Sequence, residues 1–445
     1  MAAPHPRLRQ NLSAPGLLAD VRRVVTKIPD PRVRNTHVKI PLADAVMSAL
    51  AIFSLKFPSL LQFDKHRASE PALRHNLNTL YGVEHAPCDT QLREILDLLD
   101  PTHLRPAFRQ LHSHLQRGNV LQSFRYLDGY YLLTIDGTGH YASSKVSCPH
   151  CCVKHAGTDK EQYYHQLLGA VMVHPDQSTV LPVDVEPITR IDGSNKNDCE
   201  RHAAKRLLQS IAEQYPQRRF IVIEDALAAN APHIRELQHH GMRFIIGAKP
   251  AGNKALFNAV QQRLSANACT EWEIDNEDGT SCGYRYVNQV PLNDSHPDLL
   301  VNYLEYWEIN ARGKERIWSW VTDIEITPEN AEQLMKAGRA RWKIENETFN
   351  TLKNQGYHFE HNYGHGKHYL CSTFAFIMML AFLIDQIQEL SCRLFQRART
   401  RLHSRRALWE RLRQMFCLFE IENWQALLHA LADEKRPSGF LHDTS

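Results

Sequence analysis

Three acids in this 445-residue chain stand where carboxylates can hold metal ions: Asp136 at the end of YYLLTID, Asp225 just after FIVIE, and Glu345 within RARWKIENETF. Carboxylate oxygens are hard ligands suited to Mg2+ or Mn2+. Two such ions about 3.5 to 4 Å apart can serve the attacking and leaving oxygens of a phosphodiester transfer, a reaction with no easily activated leaving group. A lone Asp after a strand is most often a turn or cap residue. Two such acids joined by a third on a helix are a different matter, and Glu347 is a rival for that third position.

Other residue groups invite separate readings. Cys148-x-x-Cys151 and Cys199-x-x-His202 have the spacing of two half-sites for tetrahedral zinc, provided a hairpin brings them together, with Cys152, His150 and His155 as substitutes. The plain alternative is a set of buried or surface thiols. Between Arg393 and Arg413 the chain carries eight arginines, among them Arg397, Arg401 and Arg405, opposed only by Glu410. Such a run either neutralises nucleic-acid phosphates or forms a solvated helix face. The segment GYHFEHNYGHGKH, from Gly356 to His368, offers Tyr357 and Tyr363 for stacking on exposed bases.

The elements that must position the acids can be read from periodicity. Residues 1–125 are expected to form a helical N-terminal domain, a possible DNA-binding unit, with apolar periodic segments at Leu17 to Val25 and Ala43 to Phe57 divided by prolines. A strand ending at Asp136, a hairpin built from HQLLGAVMVHP and TVLPVDVEPI, a helix over about 198–215, a strand running into Asp225, a helix opened by Pro232 and a strand at RFIIGAK come next. Three strands, helix, strand, helix, strand is the element order of a ribonuclease-H-like domain, whose first part spans 126–254. Residues 255–326 alternate as a β-rich insertion or an extension of the sheet. Residues 327–390 supply a long helix bearing Glu345 and a buried apolar helix that completes the core. Residues 391–445 form a basic helical C-terminal region. The fold class is therefore α/β, with helical regions at both ends.

On TIDGTG, VIEDALAAN and RARWKIENETFNTLKNQG the chain resembles the bacterial insertion-sequence DDE transposases that carry a β-strand insertion between the second and third acids. The intervals of 89 (136 to 225) and 120 (225 to 345) residues suit that arrangement. The resemblance covers about Tyr130 to Leu380, and its most specific block sets Arg341 four residues before Glu345. Two positions depart from the family pattern: its Tyr falls on Gly338, and its Lys falls on Leu352, with Lys353 one place later. The resemblance implies metal-dependent cleavage at transposon ends and strand transfer into target DNA, using two Mg2+ or Mn2+ ions on Asp136, Asp225 and Glu345. Arg341 and Lys353 would contact phosphate, and DNA terminal inverted repeats and target DNA would be the partners of a homodimer or larger synaptic complex. The alternatives are a catalytically inactive, transposase-derived DNA-binding protein and another ribonuclease-H-like nuclease.

Composition agrees with a folded enzyme: 43% hydrophobic and 23% charged residues, with a net charge of only +3. The opening MAAPHPRLRQ leads into no apolar signal segment. The apolar stretch around Leu370 to Ile384 is short for a membrane span and is expected to be a buried helix. Ten cysteines without a secretory signal suggest reduced thiols and a cytoplasmic protein.

Overall fold

The computed structural model describes residues 11–32, 38–190, 196–433 and 440–443. Among the described residues six α-helices come first: α1 (Ala14–Val25), α2 (Leu42–Ser54), α3 (Leu60–Ser69), α4 (Pro71–Tyr81), α5 (Asp89–Asp97) and α6 (Arg105–Arg117). Helix α2 is apolar almost all round and is buried along its whole length but for its last residue, as a helix without a polar stripe must be placed.

A short β1 (Arg125–Tyr126) leads to the strands that carry the sheet: β2 (Tyr130–Ser143), β3 (Cys152–Lys154), β4 (Gln162–Val173) and β5 (Leu181–Ile188). Helix α7 (Lys196–Gln214), β6 (Phe220–Glu224), α8 (Ala231–His239) and β7 (Arg243–Gly247) come after them. Strands β2 and β5 pair antiparallel with opposite edges of β4, while β2, β6 and β7 run parallel. This is a ribonuclease-H-like sheet. Strand β6, FIVIE, is buried throughout, as expected of a parallel strand covered on both faces.

The sheet does not stop at β7. After α9 (Lys254–Ser265), strands β8 (Thr270–Asp275), β9 (Ser281–Asn293), β10 (His296–Ile309) and β11 (Glu315–Thr322) form an antiparallel array, and β11 pairs with β7. The inserted strands thus extend the same sheet, and the segment expected to be β-rich begins with a helix. Helix α10 (Ala331–Arg339), a π-helical turn over Ile344–Phe349 and α11 (Asn350–Asn354) then stand where one continuous helix is expected.

Helix α12 (Leu370–Ser391) is long and apolar enough to cross a membrane by composition, but 94% of its apolar window is buried, and it packs against β4, β5 and the N-terminal helices. It is the central core helix. The chain ends in α13 (Arg393–Arg401), α14 (Arg405–Leu418), β12 (Phe419–Ile421), α15 (Trp424–Ala432) and β13 (Phe440–Asp443), so a small β12–β13 pair joins helices in the C-terminal region.

Candidate active site

Asp136 and Asp225 are brought level by strand register. The last parallel rung of β2 and β6 pairs Thr134 with Ile223, and each acid lies two residues beyond it. Asp136 is not at the end of its strand, as the turn-like Gly137-Thr138-Gly139 suggests, because β2 continues to Ser143 by antiparallel pairing with β4. The strand keeps its outer partner after losing its inner one. The gap so opened beside β6 is where Asp225 turns off, accepting a hydrogen bond from the Leu227 backbone N–H at 2.9 Å and capping a short 3-10 turn.

The third acid arrives from across the sheet. Opposite Asp136 on β4 is Gly169, where a Cβ would approach the Phe349 ring within 3.3 Å and Ile344 within 3.9 Å. The missing side chain lets the π-helical turn lie close to the sheet. Arg341 then binds both carboxylates, donating from Nη1 to Asp136 Oδ2 at 3.2 Å and to Glu345 Oε1 at 2.9 Å. Trp342, 52% exposed, lies beside that guanidinium, 4.8 Å from ring centroid to Cζ. Arg341's acidic partners are Asp136 and Glu345, with Glu347 taking no part in the pair.

The electrostatics favour a cation. Burial pushes the Asp136 carboxyl up to about 6; the Gly137 backbone N–H and Arg341 pull it down, while Glu345 and Asp225 push it further up. One guanidinium among three carboxylates leaves negative charge in excess, and the donors are all hard oxygens, so the residues present fit divalent Mg2+ or Mn2+.

The helix geometry accounts for both departures from the family pattern. At Gly338 a Cβ would come within 2.4 Å of the Trp320 indole, so an aromatic ring from β11 fills the space a side chain there would need. The π turn winds with i to i+5 hydrogen bonds and accommodates one extra residue. Lys353 therefore takes the phase that residue 352 would hold on an uninterrupted helix: Leu352 is buried, and Lys353 is half-buried and paired with Glu360 at 2.8 Å.

Sequence reasoning passed over the rest of the cleft. A cavity of about 220 Å3 beside Asp136 and Asp225 is also lined by Glu200, Arg201, Glu224 and His233. His233 Nε2 lies 2.5 Å from Glu224 Oε2, and that carboxylate, outweighing the effect of burial, raises the imidazole above its ordinary value. The one available signal was Glu224 standing directly before Asp225.

Other expected site residues lie elsewhere. Tyr357 and Tyr363 are core residues, donating their hydroxyls to Asp385 Oδ2 and the Phe57 carbonyl, so neither ring is free to stack on a base. Arg397 pairs with Asp433, Arg401 donates to the Leu431 carbonyl, and Arg405 reaches Gln355 Oε1 at 3.2 Å. Cys148 and Cys151 do come together, but with His165 and His365; Cys199 is buried in α7 and His202 is exposed on it, so the pairing of CxxC with CxxH does not form.

The fold defines the class, a ribonuclease-H-like domain. The sequence profile described as "Transposase DDE domain" matches residues 128–383, from the approach to β2 into α12, and the chain belongs to this family. It is a DDE transposase, an enzyme acting on DNA. No curated protein matches the chain. Among solved structures, one described as "Cryo-EM structure of piggyBac transposase synaptic complex with hairpin DNA (SNHP)" is similar at 10% identity and a TM-score of 0.39, covering 94% of this chain and 80% of that one.

Proposed function

We propose that Asp136, Asp225 and Glu345 hold two divalent ions, Mg2+ or Mn2+, for cleavage at the ends of a mobile element and transfer of the freed strand into target DNA. The observation that carries this reading is the shared guanidinium: Arg341 joins Asp136 to Glu345, while Asp225 stands level with Asp136 and adds its charge to the same group. Bound there, the ions would supply Lewis acidity at the attacking and leaving oxygens.

The protein's own groups do the remaining work. The acids are held on a covered sheet and a packed helix, so little reorganisation is needed when the charge changes. Arg341 bridges two carboxylates in the absence of ions, offsetting part of their charge, and, once they are engaged, has a planar fork to offer a phosphate. Lys353 can exchange Glu360 for a phosphate oxygen by moving its flexible stem. Arg397, Arg401 and Arg405 lie along α13 and α14 and would add backbone contacts to the terminal inverted repeats and target DNA. Joining two ends calls for a homodimer or a larger assembly.

The test is single-turnover cleavage of DNA carrying the element's ends, with Mg2+ or Mn2+. Glu345→Gln should lower the rate at least about 1000-fold, equivalent to roughly 4 kcal/mol of barrier, whereas Glu347→Gln should stay within a few-fold of the parent. Loss with Glu347→Gln and survival with Glu345→Gln would assign the third acid to Glu347.

A further inference from the structure

The structure assigns a second metal site, for one zinc ion, to Cys148, Cys151, His165 and His365. These four residues come from three segments: the loop between β2 and β3, strand β4, and the loop between α11 and α12. Their ligand atoms all lie within 4.8 Å of one another.

Five of the six separations lie close to the edges of a tetrahedron, and the sixth, from Cys148 to His365, is within 4.8 Å. With Zn–S near 2.3 Å and Zn–N near 2.0 to 2.1 Å, a tetrahedral site has edges of about 3.8 Å between sulfurs, about 3.6 Å between sulfur and nitrogen, and about 3.3 Å between nitrogens. Here Cys148 Sγ and Cys151 Sγ are 3.7 Å apart. The sulfur–nitrogen edges are 3.5 Å from Cys148 to His165, 3.4 Å from Cys151 to His165 and 3.2 Å from Cys151 to His365. The two Nε2 atoms are 3.1 Å apart. A chance meeting of thiols and rings has no reason to close on these edges together.

The chemistry agrees with the shape. The His365 Nδ1 lies 2.8 Å from the Gly366 carbonyl oxygen, which only accepts, so Nδ1 carries a proton and Nε2, 3.2 Å from Cys151 Sγ, is the atom available as a ligand. Fixing a histidine's tautomer through its other nitrogen is the usual support for a metal ligand. Cys151, His165 and His365 are buried, leaving no open position for substrate, as in a structural rather than a catalytic zinc site. Its consequence lies in the connections: the ion would tie the hairpin that continues β2 beyond Asp136 to the loop that comes after the helix of Glu345.

The experiment uses the full chain, purified without chelator or nickel resin, with zinc measured by mass spectrometry and Co2+ used as a spectroscopic substitute. We expect about one zinc per chain, and for the cobalt form a thiolate-to-metal charge-transfer band with intense tetrahedral d–d bands. Cys148→Ser/Cys151→Ser should fall below about 0.1 zinc per chain. If that variant does not fold, His365→Asn, which leaves both sulfurs in place, should weaken metal retention and alter the cobalt spectrum. Cys199→Ser and His202→Asn should keep full stoichiometry. Chelation should also speed proteolysis between residues 355 and 369, a readout independent of DNA cleavage. Folded parent protein with less than about 0.1 zinc and no tetrahedral cobalt spectrum would overturn the assignment, as would loss of zinc on changing Cys199 or His202 but not His365.

Discussion

At the scale of single residues, the fold keeps some groups uncharged and leaves others crowded. His112 is of the first kind. It is fully buried between α6 and β5; its Nε2 donates to the Pro182 carbonyl oxygen at 2.8 Å and its Nδ1 accepts from Arg218 at 3.3 Å. Burial first, and then Arg218, push the imidazole down to about 3. The unfolded chain takes a proton near pH 6.5 that the folded chain refuses, so the neutral ring's contribution is intact above that pH and is lost as pH falls toward 3. By pH 5 the loss amounts to about 2 kcal/mol. In urea unfolding, the stability difference between the parent and His112→Gln should therefore shrink by roughly that amount between about pH 7.5 and 5. An unchanged difference would mean that His112 is not held neutral. Asp136 belongs to the second kind: the sequence pointed to it as a strand-end acid although β2 runs on to Ser143, and pointed to Asp225 and Glu345 by a strand end and a helix register. His165 and His365 were not, since they lie 14 and 214 residues from Cys151 and nothing local announces a contact made by folding.

At the scale of elements, the placing of Glu345 depends on how closely α10 and the π turn approach the sheet. Glycine within a helix costs about 1 kcal/mol relative to alanine, so its presence at position 338 has a packing reason, the Trp320 indole. Gly338→Ala should reverse the usual helix preference and destabilise the protein by about 1 to 3 kcal/mol. It should also slow cleavage, because Arg341 lies three residues on. Trp320→Leu should restore part of the stability in the double variant; a neutral or stabilising Gly338→Ala would refute the close packing. Periodicity predicted the helix around Glu345 and the strands beside it, yet not the π turn, because one extra residue in a turn leaves the apolar pattern intact while rotating the residues beyond it. The inserted strands were legible as strands. Their pairing onto β7 through Trp320, Val321 and Thr322 was not, since strand sequences do not state their partners.

At the scale of the whole molecule, the two helical ends of the chain close together over the sheet. Asn76 on α4 donates to the Phe416 and Phe419 carbonyls at 2.7 Å and accepts from the Ile421 N–H, fastening the C-terminal region to the N-terminal one. Asp97 at the end of α5 accepts four backbone N–H bonds from Lys367 to Leu370 and so caps α12; those donors outweigh burial and hold its carboxyl below the ordinary value. Buried Lys56, paired with Asp385, packs over the rings of Tyr357 and Trp409 and links α2, α12, the loop after the Glu345 helix and α14. The terminal regions are thus braced against the catalytic sheet; in the proposed reading the acids carry the chemistry and the C-terminal arginines the contacts to DNA. The direct test of that division is Asp225→Ala, with cleavage and binding of element-end DNA measured side by side at one fixed salt concentration. Removing Asp225 takes away a proposed metal ligand and no proposed phosphate contact, so cleavage should fall at least about 1000-fold while affinity is kept or rises slightly through reduced repulsion. Cleavage at the parent rate, or a parallel loss of cleavage and binding in a folded variant, would contradict the account.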